Sequence, residues 1–405
     1  MNKKKLLVTT STFPRWKNDT DPPFVYELSR RLTNHFDITV LAPNYPGALT
    51  RKEMAGLTVY RFRYFFKKLE LLAGSEGILP TLKKNVLFNF LVPFFLVGEF
   101  WALVKLTKKI KPDIIHAHWI LPQGFIAALA KKITRVPFVV TTHGGDIYGL
   151  QGKFATALKR YALHNAAHVT VVSKDIQQTI IKKFGKNILT GVISMGVDSQ
   201  LFHPDKKDLS LREKNKISGP FLLFVGRLTE KKGVRYLIEA MVSVLKNSPE
   251  TKLMLIGTGE LHQELSRLVN SLGLQGNVIF RGAIPNHELP KYFATADIFI
   301  GPSIQAEGGD TEGLGLTFVE AGMSGCIVIG TDVGGIGDII EHGKTGFLIK
   351  EKDSKAIADV LVSILGDKQK LAGIRENARK KMVSQFDWQS IADQYAVLLK
   401  SASAP

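Results

Sequence analysis

Apolar residues recur along this chain in two ways. Short runs rich in Val, Ile, Leu and Thr alternate with longer stretches where apolar positions return every three or four residues. In the first half, runs at Lys5–Thr10, Asp37–Ala42, Asp113–Ala117, Phe138–Thr142 and His168–Val172 predict strands, and Phe24–Leu32 and Gly124–Ile133 predict helices between them. A second alternation follows, with strands at Phe221–Val225, Lys252–Ile256, Val278–Arg281, Ile298–Gly301 and Ile327–Gly330. Its helices are predicted at Tyr236–Leu245, Glu260–Leu272, Leu289–Phe293, Leu316–Met323, Ala356–Leu365 and Gln369–Val383. Strand–helix alternation of this kind implies α/β architecture: parallel sheets covered by helices, with ligands at the carboxyl ends of the strands. Residues 205–219 are charged and weakly apolar and predict a linker between an N-terminal domain (1–204) and a C-terminal domain (220–385). The tail, 386–405, carries a final amphipathic helix at Phe386–Leu399, expected to cross back to the first domain. A cleft between the two domains is the default substrate site.

Composition narrows the class. A chain of 405 residues with 45% hydrophobic and 22% charged positions excludes disordered, collagenous and low-complexity proteins. The single cysteine, Cys326, excludes a disulfide scaffold and fits a reducing cytoplasm. Charge is lopsided: residues 1–200 hold 29 basic and 12 acidic side chains, the remainder 25 and 24, for a net +18. Such a field points to an anionic partner for the first half. The basic start Asn2–Lys5 is followed by only three apolar residues before a Thr/Ser run, so it reads as a buried strand rather than a signal peptide. Val86–Leu106 is apolar, but Asn89, Pro93, Gly98 and Glu99 argue against a clean spanning helix. Around it, Arg61, Arg63, Lys67, Lys68, Lys83 and Lys84 mix with Phe65, Phe66, Phe88, Phe90, Phe94, Phe95 and Trp101, a combination suited to peripheral contact with an anionic membrane.

The chemistry-bearing residues concentrate in the second half. Glu312-Gly-Leu-Gly-Leu-Thr-Phe-Val-Glu320 places two carboxylates around a glycine turn, with a helix starting near Leu316. Amide N–H groups at a helix start hold anions, and carboxylates accept hydrogen bonds from sugar hydroxyls. Upstream, the strand Phe221–Val225 ends in Gly226-Arg227, with Lys232 five residues later, a cation pair able to neutralise a diphosphate.

Arg227, Lys232 and the paired glutamates resemble the retaining glycosyltransferases of family 4. The likeness extends over most of the chain through His116-Ala-His118-Trp119, Thr141-Thr-His-Gly-Gly-Asp146, Ile256-Gly-Thr-Gly-Glu260, Gly301-Pro-Ser303 and Asp332-Val-Gly-Gly335. It implies a GT-B fold, two Rossmann-like domains facing a central cleft. It further implies transfer of a hexose from a nucleotide-diphosphate sugar, UDP- favoured over GDP- on family frequency, to a hydroxyl of a glycan or lipid-linked acceptor in cell-surface polysaccharide or glycolipid synthesis. By position, Arg227 and Lys232 would grip the diphosphate, Gly315, Leu316 and Thr317 would support phosphate and sugar, and Glu320 would bind the ribose. Glu312 would hold the transferred sugar, His143 would face sugar and acceptor, and His118 and Asp146 would bind the acceptor. No metal or other cofactor is implied, and the place of work would be the cytoplasm, at the inner face of the cell membrane. Where many members carry a Gly-Gly loop after the first strand, this chain reads Phe13-Pro-Arg-Trp through to Phe24, so Arg15, Asp19 and Asp21 receive no role.

Other readings are weaker. A sugar-nucleotide epimerase of the same fold would act without an acceptor. A nucleic-acid-binding protein fits the charge but lacks a recognition motif. Asp19-Thr-Asp21 is a misplaced D-x-D, His116 and His118 lack a third zinc ligand, and Gly343-Lys-Thr345 lacks the upstream glycine of a phosphate loop.

Overall fold

The computed structural model describes every residue except 1–2, 17–18, 20–23, 75–76, 366–367 and 404–405. The chain forms two compact units, one of residues 1–196 with 388–405 and one of residues 197–387.

In the first unit the described strands are β1 (Lys4–Thr9), β2 (Phe36–Pro43), β3 (Arg51–Met54), β4 (Leu57–Phe62), β5 (Ile114–His118), β6 (Phe138–Thr142), β7 (His168–Val171) and β8 (Thr190–Val192). They form one sheet in the order β3-β4-β2-β1-β5-β6-β7-β8, with β3 antiparallel to β4 and the other pairs parallel. The central strands are apolar on both faces because helices cover both; Leu6, Leu7 and Val8 are fully buried. Strand order reverses between β1 and β5. Crossovers leave that point in opposite directions, and the gap at the strand ends is where such sheets take ligands. His143, just after β6, sits beside it.

The second unit repeats the plan. Strands β9 (Phe221–Val225), β10 (Lys252–Ile256), β11 (Val278–Gly282), β12 (Ile298–Gly301), β13 (Ile327–Thr331) and β14 (Phe347–Ile349) pair in parallel in the order β11-β10-β9-β12-β13-β14. The order reverses between β9 and β12, so Gly226-Arg227 and Pro302-Ser303 leave the sheet at the ligand-binding end. Both sheets have the Rossmann-like plan of parallel strands with a reversal of strand order near the middle.

Two expectations are corrected. Residues 205–219 are part of the second unit, not a linker: Leu211 and Ile217 are buried in it, and Arg212 forms an ion pair with Asp297. Two apolar anchors in an otherwise charged segment are enough to dock it. The unit begins at Val197, where β-bridge pairing to Asp387 sets the chain's entry and exit side by side. The last helix spans Trp388–Ala402, because Phe386 closes the preceding helix, Lys368–Phe386. Trp388–Ala402 belongs to the first unit, packs against the helix Phe24–Leu32, and buries Ile391, Tyr395 and Leu399.

Candidate active site

In the second unit, glycines let the loops after the strands meet. The Gly226 N–H donates to the Ile256 carbonyl at 2.9 Å and the Leu228 N–H to the Thr258 carbonyl at 2.9 Å. A Cβ at Gly257 would lie 1.9 Å from the Gly226 oxygen, and one at Gly259 would lie 2.3 Å from the Leu228 oxygen. The Gly-Thr-Gly after β10 therefore permits the Arg227 loop to lie flat on its neighbour. Gly233, at φ +61°, ends the next turn against the Pro302 carbonyl, where a side chain has no room.

That turn aims two lysines at the glutamate segment. Lys232 Nζ forms an ion pair with the Glu312 carboxylate, and Lys231 Nζ lies 3.1 Å from Asp310. Burial alone would raise the Glu312 carboxyl; Lys232, then Lys231 and Arg227, override it and hold the group below the usual carboxylate range. Arg227 itself is exposed at the strand end. Thus Arg227, Lys231, Lys232 and Glu312 share one field.

Gly315, at φ +89°, precedes the helix Leu316–Met323. The Leu316 and Thr317 N–H groups, in the helix's first turn, lack intrahelical acceptors and present an anion site. Glu320, one turn in, has no protein partner for its carboxyl among the described residues, and burial pushes it up to about 8. A neutral carboxyl can donate as well as accept, which suits a vicinal diol.

Sequence reasoning missed the clasp that holds Glu312. Gly335 N–H donates to the Glu312 carbonyl at 3.2 Å, and a Cβ at Gly334 would lie 2.0 Å from that oxygen. The Gly-Gly pair after β13 was visible, but nothing in one dimension says which backbone it approaches. Lys231 and Asp310 received no role from the sequence for the same reason.

In the first unit, His143 is half-buried between the Phe24 ring (centroids 4.7 Å) and Trp119 (4.9 Å). Burial, with His116 adding, drives its pKa well below the imidazole norm, so the ring is neutral. His118 and Asp146, the residues expected at the acceptor, both lie beside His143. His118 is fully buried, its Nδ1 3.1 Å from His143 Nε2. The Asp146 carboxylate, 5% exposed, accepts from Ile120 N (2.8 Å), Thr142 Oγ1 (2.8 Å) and His143 N (3.2 Å). Both are buried and hold the His143 loop in place. Asp19 is held in an ion pair with Arg15 at 2.7 Å, whereas Asp21 and most of the Phe13–Phe24 loop's second half lie outside the described residues. Among the described residues no group of three His, Cys, Asp or Glu side chains stands close enough to hold a metal ion.

Comparisons with known proteins find likeness in sequence and in fold. The family model described as Glycosyltransferase Family 4 covers residues 23–201, and Glycosyl transferases group 1 covers residues 206–381. The chain is 27% identical, over 97% of its length and 98% of the relative's, to the GDP-mannose-dependent alpha-(1-6)-phosphatidylinositol monomannoside mannosyltransferase of Mycolicibacterium smegmatis. It is 28% identical to the teichuronic acid biosynthesis glycosyltransferase TuaC of Bacillus subtilis, over 71% of this chain and 70% of that one. Among solved structures, Anabaena HepE in complex with UDP superposes with a TM-score of 0.76 at 21% identity, covering 98% of this chain and all of that one. Sucrose-phosphate synthase of Thermosynechococcus elongatus gives 0.79 at 20% identity, covering 98% and 99%.

Proposed function

Because the chain belongs to the family 4 glycosyltransferases of GT-B fold, acting in polysaccharide or glycolipid synthesis, we propose that it moves a hexose with retention of configuration. The donor is a nucleotide-diphosphate sugar, UDP-hexose first and GDP-hexose second. The acceptor is a hydroxyl of a glycan or lipid-linked sugar at the cytoplasmic face of the cell membrane. The observation that carries this reading is the Lys232–Glu312 pair beside Arg227, at the N-terminus of the helix Leu316–Met323.

In this reading the diphosphate takes Lys232 and Arg227 as counter-ions and the Leu316 and Thr317 amides as donors. Glu312, freed from Lys232, accepts from the hexose hydroxyls, and Glu320 binds the ribose. The bond from the anomeric carbon to the phosphate oxygen breaks, and its electron pair leaves on the diphosphate. The acceptor oxygen bonds to the same face, and its proton passes to the departing phosphate oxygen. Preorganised cations stabilise that developing charge and take the place of a metal. His143 positions the sugar.

The test is a screen of nucleotide sugars by thermal shift, with product stereochemistry read by NMR. A UDP- or GDP-hexose raises the melting temperature of the wild type through mass action. Arg227→Ala weakens donor binding and lowers turnover on the order of 100-fold. Glu312→Gln abolishes transfer with the fold intact. No shift with any donor, or unchanged turnover in either variant, sinks the site assignment. Donor turnover without acceptor into an epimeric sugar nucleotide instead marks an epimerase.

A further inference from the structure

The described stretch Val86–Ile110, a short 3-10 turn followed by the helix Leu91–Ile110, is long and apolar enough to cross a membrane, yet only 22% of its most apolar window is buried. The helix is apolar on two opposite stripes. Leu91, Phe95, Glu99 and Leu103 face the first unit's interior, all at 2% exposure or less. Phe90, Phe94, Val97 and Trp101 form an outer stripe and are 51%, 48%, 57% and 53% exposed. A solvated helix of a soluble protein carries polar residues there. The outer stripe is extended by a loop: Phe65 packs at 5.1 Å from Phe94 and 4.9 Å from Phe66, which is 72% exposed. Buried Glu70 fixes that loop by accepting from Arg63 Nε, Tyr64 N and Phe65 N.

Cations border the stripe at both ends. Lys67 and Lys68 adjoin Phe66, and Lys105 and Lys108 continue the helix face beyond Trp101, all exposed. Glu70 and Glu99 are turned inward and fully buried, so they do not offset this charge at the surface. The inner stripe is not available to lipid. A Cβ at Gly98 would lie 2.9 Å from the Arg63 carbonyl, and Thr9 donates to the Glu99 carboxyl at 2.9 Å. The helix therefore lies along the unit and cannot span a bilayer.

We propose that this aromatic stripe is a membrane-docking surface: Phe66, Phe94, Val97 and Trp101 enter the acyl boundary of an anionic bilayer, and the flanking lysines engage its phosphates. An apolar band with a cationic border is what an interfacial helix requires. A second copy of this chain is the poorer occupant, because pairing two such faces sets lysines against lysines. The inference deepens the proposed membrane-side acceptor and draws its purpose from that reading, but its evidence is the surface alone.

The test is flotation of the full chain with phosphatidylcholine vesicles with and without phosphatidylglycerol. The wild type floats with the anionic vesicles only. Phe94→Ala with Trp101→Ala, and separately Lys105→Glu with Lys108→Glu, weaken binding about tenfold or more. Bromine-labelled acyl chains quench tryptophan fluorescence in the wild type but much less in Trp101→Phe, which still floats. Unaltered melting curves show that the variants fold. Absence of flotation, equal flotation of Phe94→Ala/Trp101→Ala, or a wild-type dimer that this variant dissolves would overturn the proposal. Acceptor-free hydrolysis of the donor is unchanged in the docking variants. If the wild type neither binds nor turns over any donor, the transferase reading fails and the flotation result is untouched.

Discussion

At the scale of single residues, buried carboxyls are handled in opposite ways: Glu320 and Glu99 are pushed up by burial, and Glu312 is not. Glu312 is held ionised by cations, whereas Glu99 has only Thr9 and Gln123 as partners among the described residues and burial pushes it up to about 8. The ordinary value is 4.5, so between pH 4.5 and 8 the folded protein keeps a proton that the unfolded chain has released. Stability conferred on the folded state therefore falls as pH rises through that window, by up to about 1.4 kcal/mol per pH unit, and levels off above it. Glu99→Gln removes the Glu99 share of this slope and leaves the share of Glu320, which burial raises to the same range. Its amide still accepts from Thr9, and its new donor faces a Gln123 amide whose Oε1 is unpartnered among the described residues. The expected result is a variant as stable as the wild type near pH 5 and more stable near pH 8. Melting temperatures across that range check it; a wild-type slope that survives undiminished in Glu99→Gln places the titration elsewhere.

At the scale of elements, what was legible were those with a one-dimensional signature. Buried parallel strands such as Phe221–Val225 read as unbroken apolar runs, and the order strand–helix–strand announces the sheet type. Of the edge strands, apolar β11 was legible and three were not: β3 is polar Arg-Lys-Glu-Met paired only to β4, and β8 and β14 are three residues long. Part of the candidate site was readable because Arg227, Lys232, Glu312 and Glu320 are ionisable residues set beside an apolar run and a glycine turn in the sequence. The clasp on Glu312 was not, because glycine reports that something comes close without saying what. Gly315 tests that element. At φ +89°, its added Cβ would meet the Phe318 ring at 2.8 Å and the Glu312 Cγ at 3.4 Å. Gly315→Ala therefore stores about 1–3 kcal/mol of backbone strain at the helix start. The strain misplaces Glu312 and the first-turn amides together. Donor affinity should fall on the order of tenfold or more, by calorimetric titration, while far-UV circular dichroism stays unchanged.

At the scale of the whole molecule, sequence order and physical units disagree. The second unit is continuous, from Val197 to Asp387, and the first is closed only by the chain's last helix. Trp388, Ile391, Tyr395 and Leu399 bury large side chains there at 5% exposure or less. At roughly 2 kcal/mol apiece, their removal costs about 8 kcal/mol, as much as a typical domain's whole stability. Residues 1–196 alone should not stay folded. The remedy is short, because a Cβ on Gly196 would lie only 2.8 Å from the Trp388 Cα, so a few glycines can join residue 196 to residue 388. The joined chain should be soluble and melt cooperatively. Residues 197–387 expressed alone should fold around their own core, which runs from Leu222 to Ile374. The joined first unit should then float with anionic vesicles without binding nucleotide, and the second unit should bind nucleotide without floating. Flotation of residues 197–387, or a soluble, cooperatively melting chain of residues 1–196, contradicts this division of labour.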